Sequence, residues 1–266
     1  MKKNYLCATL LLFFGVCGLS LTSCGGDDEE TLSEVTVPGT GDDKGQGDEN
    51  DGNDDGNGEG EGKEDEGNTG TTVVNGHKAV DLGLSVKWAT CNVGASSPEE
   101  YGGYYAWGET EEKSNYDFST YKYCKGSNDS MTKYCTESYS GTVDNKTVLE
   151  PGDDVAHVKW GGSWRMPTSK ELNELINNCF WRWTTQNGVK GYVVTSESNG
   201  NSIFLPAAGS RWDEIVDSSG SVGLYWSASL NESYSSSAYY LGFDGGSRFL
   251  HNIVRYYGFS VRPVAE

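Results

Sequence analysis

Three histidines, eight tryptophans, seven cysteines and scattered carboxylates are the side chains of this 266-residue chain with the means to do chemistry. His77, His157 and His251 stand far apart, and none has a Cys, His or carboxylate at ligand spacing. The sequence therefore predicts no metal centre and no cofactor. No Gly-x-Ser-x-Gly elbow, phosphate loop or dinucleotide fingerprint occurs. Asp153 and Asp154, near Glu150, have the makings of an acid pair, but adjacent carboxylates in a turn more often cap a helix or face solvent. What remains is non-covalent recognition. The stretch Gly223 to Val264 is dense in Tyr, Ser, Gly, Asn and His, the residue types of adaptable binding surfaces.

Within it, Leu241 and Phe243 alternate with Tyr240, Gly242 and Asp244, so two apolar side chains share one strand face. The opposite face carries a ring, a hydrogen and a carboxylate, a mixture that core packing explains poorly. It reads either as a ligand face or as a solvated face. Three or four short strand-like runs separated by Ser, Asn and Gly turns make the stretch an antiparallel meander.

Other elements must position that meander. Val80 to Thr90 reads as two strands around a Gly83-Leu84-Ser85 turn, and Pro98 to Tyr101 as one helical turn with Pro at its first position. Tyr104 to Glu109 is strand-like and aromatic. Residues 113–147 lack periodicity and read as a long loop with a hairpin, of the kind that serves a site or is held by a disulfide. The clearest helix follows Thr168. Thr168 and Glu171 form a capping box, and Leu172, Leu175, Ile176 and Cys179 fall on one stripe that packs across a sheet. Strands over 180–185, 189–195 and 202–206 follow, joined by Asn-Gly turns. Trp212 leads into a polar loop. One amphipathic helix against many short strands predicts an α+β fold with an antiparallel sheet. Most of the tryptophans, Trp88, Trp107, Trp160, Trp164, Trp181, Trp183, Trp212 and Trp226, are expected in the core.

Charge and compartment frame this domain. Residues 1–23 have a basic start and an apolar run from Leu10 to Val16, as a secretory signal does. The signal ends in Leu21-Thr22-Ser23-Cys24, which resembles a bacterial lipobox, with Cys24 the lipidated residue. Between Gly25 and Gly70 seventeen Asp and Glu face two Lys, with no aromatic residue. So little hydrophobicity with so much charge cannot offset the entropy of folding, so residues 24–70 read as a disordered acidic tether spanning roughly 35–40 Å. Residues 71–266 form the ligand-binding domain. A net charge of −19 argues against nucleic acid as a partner. Cys91, Cys124, Cys135 and Cys179 remain in the domain and allow three pairings, among which sequence cannot choose. Cys124 and Cys135 flank residues 125–134 and would staple a hairpin neck.

Blocks Val80–Ala95, Tyr104–Thr110, Trp160–Leu172, Ile203–Arg211, Tyr225–Leu230 and Tyr257–Val264, in this order, resemble the Fibrobacter succinogenes major paralogous domain. The resemblance covers nearly all of the chain from Thr71 onward. It implies a surface lipoprotein with a C-type-lectin-like fold, akin to the formylglycine-generating enzyme. Asp27 to Glu30 likewise resembles acidic tags that export lipoproteins to the outer face of the outer membrane. The enzyme's reactive cysteines lie in its C-terminal block, and Gly223 to Glu266 contains none, so its oxidase chemistry is not implied. Calcium-site motifs of C-type lectins are missing too, with only Trp212-Asp213-Glu214 as an echo.

The C-terminal meander also resembles variable regions diversified by retroelements, in which Asn codons are copied with adenine-directed errors. That resemblance implies as ligand-contacting positions Leu224, Tyr234, Ser236, Ser237, Tyr240, Gly242, Asp244, Ser247, Phe249, His251, Ile253 and Tyr257. Trp226, Leu241, Phe243, Arg255, Val261 and Pro263 would be the scaffold. A family member drifting without a retroelement is the other reading, and both put the binding face in one place. The expected function is capture of a protein or glycan at the cell surface. The alternatives are an enzyme acting on outer-layer glycans or peptides, and a structural subunit of a surface assembly.

Overall fold

The computed structural model describes residues 70–266; the expected signal, the lipidated Cys24 and the tether up to residue 69 lie outside them. Gly70, expected in the tether, is already part of the fold, its carbonyl accepting from the Asp81 N–H at 2.8 Å. Twelve strands and two α-helices are described: β1 Thr71–Val74, β2 His77–Val80, β3 Lys87–Ala89, α1 Val155–Trp160, α2 Ser169–Asn177, β4 Cys179–Gln186, β5 Val189–Ser196, β6 Ser202–Pro206, β7 Ser210–Trp212, β8 Ile215–Asp217, β9 Gly223–Leu230, β10 Ser237–Phe243, β11 Arg248–Val254 and β12 Val264–Ala265. All strand pairings are antiparallel. They form sheets ordered β1-β2-β3-β12, β4-β5-β6 and β9-β10-β11, with the hairpin β7-β8 apart. The fold is α+β and rich in antiparallel sheet.

Helix α2 forms as its sequence predicts. The Thr168 side chain accepts from Glu171 N–H, and the Glu171 side chain accepts from Thr168 N–H. Leu172 and Leu175 are buried, and the helix packs against β9, β10 and β11. Cys179, expected at the end of the helical stripe, instead opens β4, where it is buried. The Asn-Gly hairpins also form as predicted, with Asn187 in the left-handed region at φ 48° and Gly188 at 83°.

Several expectations are corrected. A second helix, α1, is too short to show an apolar stripe, but Asp154 caps it by accepting from Ala156 and His157 N–H. Residues 98–101 form a turn rather than a helical one, closed by Glu100 N–H to Ser97 O and by Ser96 N–H to the Glu100 carboxylate. Tyr104–Glu109 is no strand: Tyr105 makes a single bridge to Phe259, because this extended segment runs along the chain's end rather than in a sheet. The polar loop expected after Trp212 is the hairpin β7-β8, turning through Asp213 at φ 47°.

All four cysteines of the domain are free. The Cys124 thiol donates to Phe118 O at 3.0 Å and the Cys135 thiol to Glu137 O at 3.2 Å, so no staple closes the hairpin neck. The long loop is organised instead by two carboxylates. Asp144 accepts from Tyr134, Cys135 and Lys146 N–H. Asp153 accepts from Lys122 Nζ, Lys133 Nζ and the Tyr134 hydroxyl. Burial pushes the Asp153 carboxyl up, but Lys133 and the tyrosine hydroxyls outweigh it and hold it well below the usual range.

Two buried clusters result. One gathers Trp107, Tyr134, Trp164, Trp226, Tyr240 and Phe259; the other gathers Trp88, Leu172, Leu175, Tyr225, Leu241 and Phe243. Sheet β9-β10-β11 is sandwiched between them.

The Arg165–Glu171 pair beside the α2 cap generates a pH prediction. Burial raises the Glu171 carboxyl, but the Arg165 guanidinium, at 2.6 Å, and Thr168 N–H more than offset this and hold it below its ordinary value. Its folded pKa lies below its unfolded one, so its contribution is complete above about pH 4.5 and is lost as pH falls. Thermal melts of the parent between pH 6 and 3 should therefore drop more steeply than those of Glu171→Gln, which starts lower but flatter.

Candidate ligand face on the C-terminal sheet

The register of the C-terminal sheet decides which candidate residues meet. Tyr240 lies opposite His251 and Trp226, while Gly242 lies opposite Phe249 and Leu224; Ala238 lies opposite Ile253. Leu224, Tyr240, Gly242, Phe249, His251 and Ile253 therefore share one face. The Tyr240 ring lies 6.2 Å from Phe249 and 6.4 Å from His251. Tyr257 joins through Phe259, at 5.9 Å, and stacks on Tyr256 at 5.0 Å. Of these, Phe249, Ile253, Leu224 and Tyr257 are half-buried and His251 is exposed.

The remaining candidates lie elsewhere. Tyr234 is 63% exposed in the β9–β10 turn, where the Tyr139 hydroxyl donates to the neighbouring Ser233 O. Ser236 holds that end by accepting the Arg255 N–H. Ser237 is buried and points to the opposite face, since it pairs with Val254. Asp244 and Ser247 form the β10–β11 turn, the Asp244 carboxylate accepting from Gly246 N–H, Ser247 N–H and the Ser247 hydroxyl. A carboxylate so engaged is a turn former.

Two candidates on the shared face are corrected from contact residues to supports. Tyr240 is only 9% exposed, because β10 is the middle strand and both its faces are covered. Its ring rests between Phe259, at 5.2 Å, and Trp226, at 6.2 Å. Gly242 is buried beneath the Phe249 ring: a Cβ there would stand 2.5 Å from it. The absent side chain lets Phe249 lie flat on the sheet. The alternating face that seemed ill suited to packing is thus a packed layer whose outer members alone reach solvent.

Beneath this layer the Trp226 indole N–H donates to Tyr105 O at 2.9 Å, and Trp107 Nε1 donates to Ser227 O at 2.8 Å. The scaffold residues Trp226, Leu241, Phe243, Arg255 and Val261 are all buried.

The sequence reading missed three contributors. Tyr256 packs edge-on against Phe118 at 4.7 Å, and its adjacency to Tyr257 was the available signal. The hairpin β7-β8 is bonded to the face through Arg211 and Gly258, which exchange both backbone hydrogen bonds at 2.8 Å. It carries Trp212, Ile215 and Val216 at 36%, 48% and 50% exposure. The β-prone residues flanking Asp213-Glu214 were its signal. Carboxylates rim the aromatic patch: Asp213 acts on both Tyr256 and Tyr257, Asp117 on Tyr256 and Asp217 on Tyr257. Burial first pushes both phenols up; for Tyr256 the neighbouring Tyr257 comes next, and the carboxylates add a smaller push to each.

A cleft of about 270 Å³ lies beside α1, lined by Asp154, His157, Ser163 and Arg165 among others. Asp154 is committed to α1 and to Met166 N–H at 2.8 Å, and burial pushes its carboxyl up. His157 Nδ1 meets Trp164 O at 3.2 Å. These groups serve the backbone and do not converge as an acid–base pair. Comparison with protein families, with curated proteins and with solved structures finds no match to this chain.

The Gly242–Phe249 contact generates a prediction. Gly242→Ala should cost about 1–3 kcal/mol through overpacking against the ring. In a Phe249→Ala background most of that cost should vanish, as a double-mutant cycle of denaturant melts would show.

Proposed function

We propose that this chain is a surface lipoprotein, anchored to the outer membrane through lipid on Cys24 and facing outward. Its folded part has a C-type-lectin-like architecture. It captures a protein or glycan ligand without chemistry or cofactor, through the outer layer of β9-β11 and the adjoining β7-β8 hairpin. One observation carries the reading. Half-buried Phe249, Ile253 and Tyr257 and exposed His251 form one ordered patch, held over rings that are themselves buried, and the exposed Trp212 hairpin is bonded to its edge. Large amphipathic side chains held this way offer contact area at little entropic cost.

The carboxylate rim adds a preference. Hydroxyl-rich glycans and neutral or basic protein surfaces suit it, and polyanions such as nucleic acid do not. The α2 block and the C-terminal blocks that carry the family resemblance pack against one another, which supports the lectin-like architecture. Positions that the retroelement resemblance marks as variable coincide in part with the outer layer, and this supports diversification of Leu224, Phe249, His251, Ile253 and Tyr257.

Glycan and protein arrays probed with the parent chain and with Phe249→Ala/His251→Ala/Tyr257→Ala test the reading. The parent should retain a ligand that the triple variant loses at least tenfold, with the melting temperature nearly unchanged. A retained ligand, or a collapse in melting temperature, would overturn the assignment of this face.

A further inference from the structure

Strand β11 is the outer edge of its sheet, paired only with β10 among the described residues. The Asp244 N–H bond to Ser247 O and the Arg255 N–H bond to Ser236 O, both 3.0 Å, bracket the β10–β11 ladder. They fix its alternation: Phe249, His251 and Ile253 bond to β10, while the backbones of Arg248, Leu250, Asn252 and Val254 point away. Val254 O is taken by Tyr257 N–H, and Asn252 O meets His251 Nδ1 at 2.9 Å. The other outward groups make no hydrogen bond among the described residues. Edges of this length are normally blunted by Pro, Lys or a bulge. Here the seven residues are Arg-Phe-Leu-His-Asn-Ile-Val, and their pairing with β10 is uninterrupted.

We propose that this edge pairs with β11 of a second copy of the chain, antiparallel about a two-fold axis at His251, joining two three-stranded sheets into one. The register is set by overlap and parity, since only a centre at His251 pairs all seven residues and places outward backbone groups opposite one another. Leu250 then meets Asn252 of the other copy on both sides of the axis. Phe249 meets Ile253 of the other copy, an aromatic against a β-branched side chain, which is a favourable cross-strand pair. Charge permits the meeting. The chain is strongly acidic, yet Arg248 to Ala265 holds no Asp or Glu, and the two Arg248 side chains lie about 20 Å apart. A closed two-fold pairing consumes the edge and stops there. It also sets the two aromatic faces side by side, so each copy extends the other's surface. The inference rests on the strand edge alone and holds whether or not the face binds a ligand.

Residues facing each other across a two-fold at a non-hydrogen-bonded position lie about 4.5 Å apart at Cα, within disulfide reach. The full chain carrying His251→Cys should therefore give a covalent dimer when cells displaying it are oxidised, above the baseline of the parent. Phe249→Cys and Ile253→Cys should cross-link when co-expressed and not singly. Asn252→Pro removes an outward N–H that β10 does not use, and should abolish the His251→Cys dimer while protease resistance is kept. Three results would overturn the proposal: no dimer from His251→Cys, equal cross-linking from Tyr234→Cys in the exposed turn, or attachment of His251→Cys to a different protein in place of a second copy.

Discussion

Two guanidinium groups, buried with no carboxylate paired to them among the described residues, hold this domain together. Arg262 donates from Nε to Asn92 Oδ1 and from its terminal nitrogens to the carbonyls of Ala89, Thr90 and Phe204, all within 3.1 Å. Burial lowers its pKa, but each of these contacts offsets part of the desolvation. Arg255 donates to the carbonyls of Lys133 and Tyr134 and lies 5.3 Å from the rings of both Trp107 and Tyr121. A buried cation bonded to backbone carbonyls fixes main chain, although the Arg255 Nε has no hydrogen-bond partner among the described residues. Arg262 thus locks the last residues to the β3 and β6 regions. Arg255 locks the end of β11 to the long loop. The long loop, without disulfides, is thus tied to the C-terminal segment as well as to Asp144 and Asp153.

That arrangement leaves the outer layer of the proposed ligand face outside the polar bonds that lock the chain's end. Its outer members, Phe249, His251, Ile253 and Tyr257, bond to neither guanidinium through their side chains, although Phe249, Ile253 and Tyr257 rest against the buried cluster. Trp226, Phe259 and Tyr240 beneath them are held by packing and by the Trp226 indole bond. The division is not complete. Gly242 and Phe249 are geometrically coupled, and Asp244 and Ser247 shape the turn that leads into β11. Variation at Gly242, Asp244 or Ser247 acts on structure before it acts on recognition.

The local chemistry of the chain was legible. The Thr168 capping box, the Asn187-Gly188 hairpin and the alternation at Tyr240 to Phe243 each follow from contacts a few residues apart, which sequence encodes directly. What the alternation could not reveal was that β10 is a central strand with both faces covered, because that depends on residues more than a hundred positions away, such as Trp107 and Tyr105. Helix α1 is one and a half turns long, too short for a periodic stripe, though Asp154 marked its start. The β7-β8 hairpin was hidden by its polar turn. Arg255 and Arg262 carry no local signal of burial; only the resemblance to retroelement-diversified regions marks Arg255 as scaffold, and their burial follows from carbonyls that tertiary structure alone brings together.

The central claim is that the outer residues of the C-terminal sheet can vary because the scaffold is self-sufficient. Saturation libraries at Leu224, Phe249, His251, Ile253 and Tyr257, and at Trp226, Arg255 and Arg262, displayed on cells and sorted for protease resistance, measure this directly. The account predicts that nearly all side chains survive at the first group and almost none at the second. Equal intolerance in both groups would contradict it.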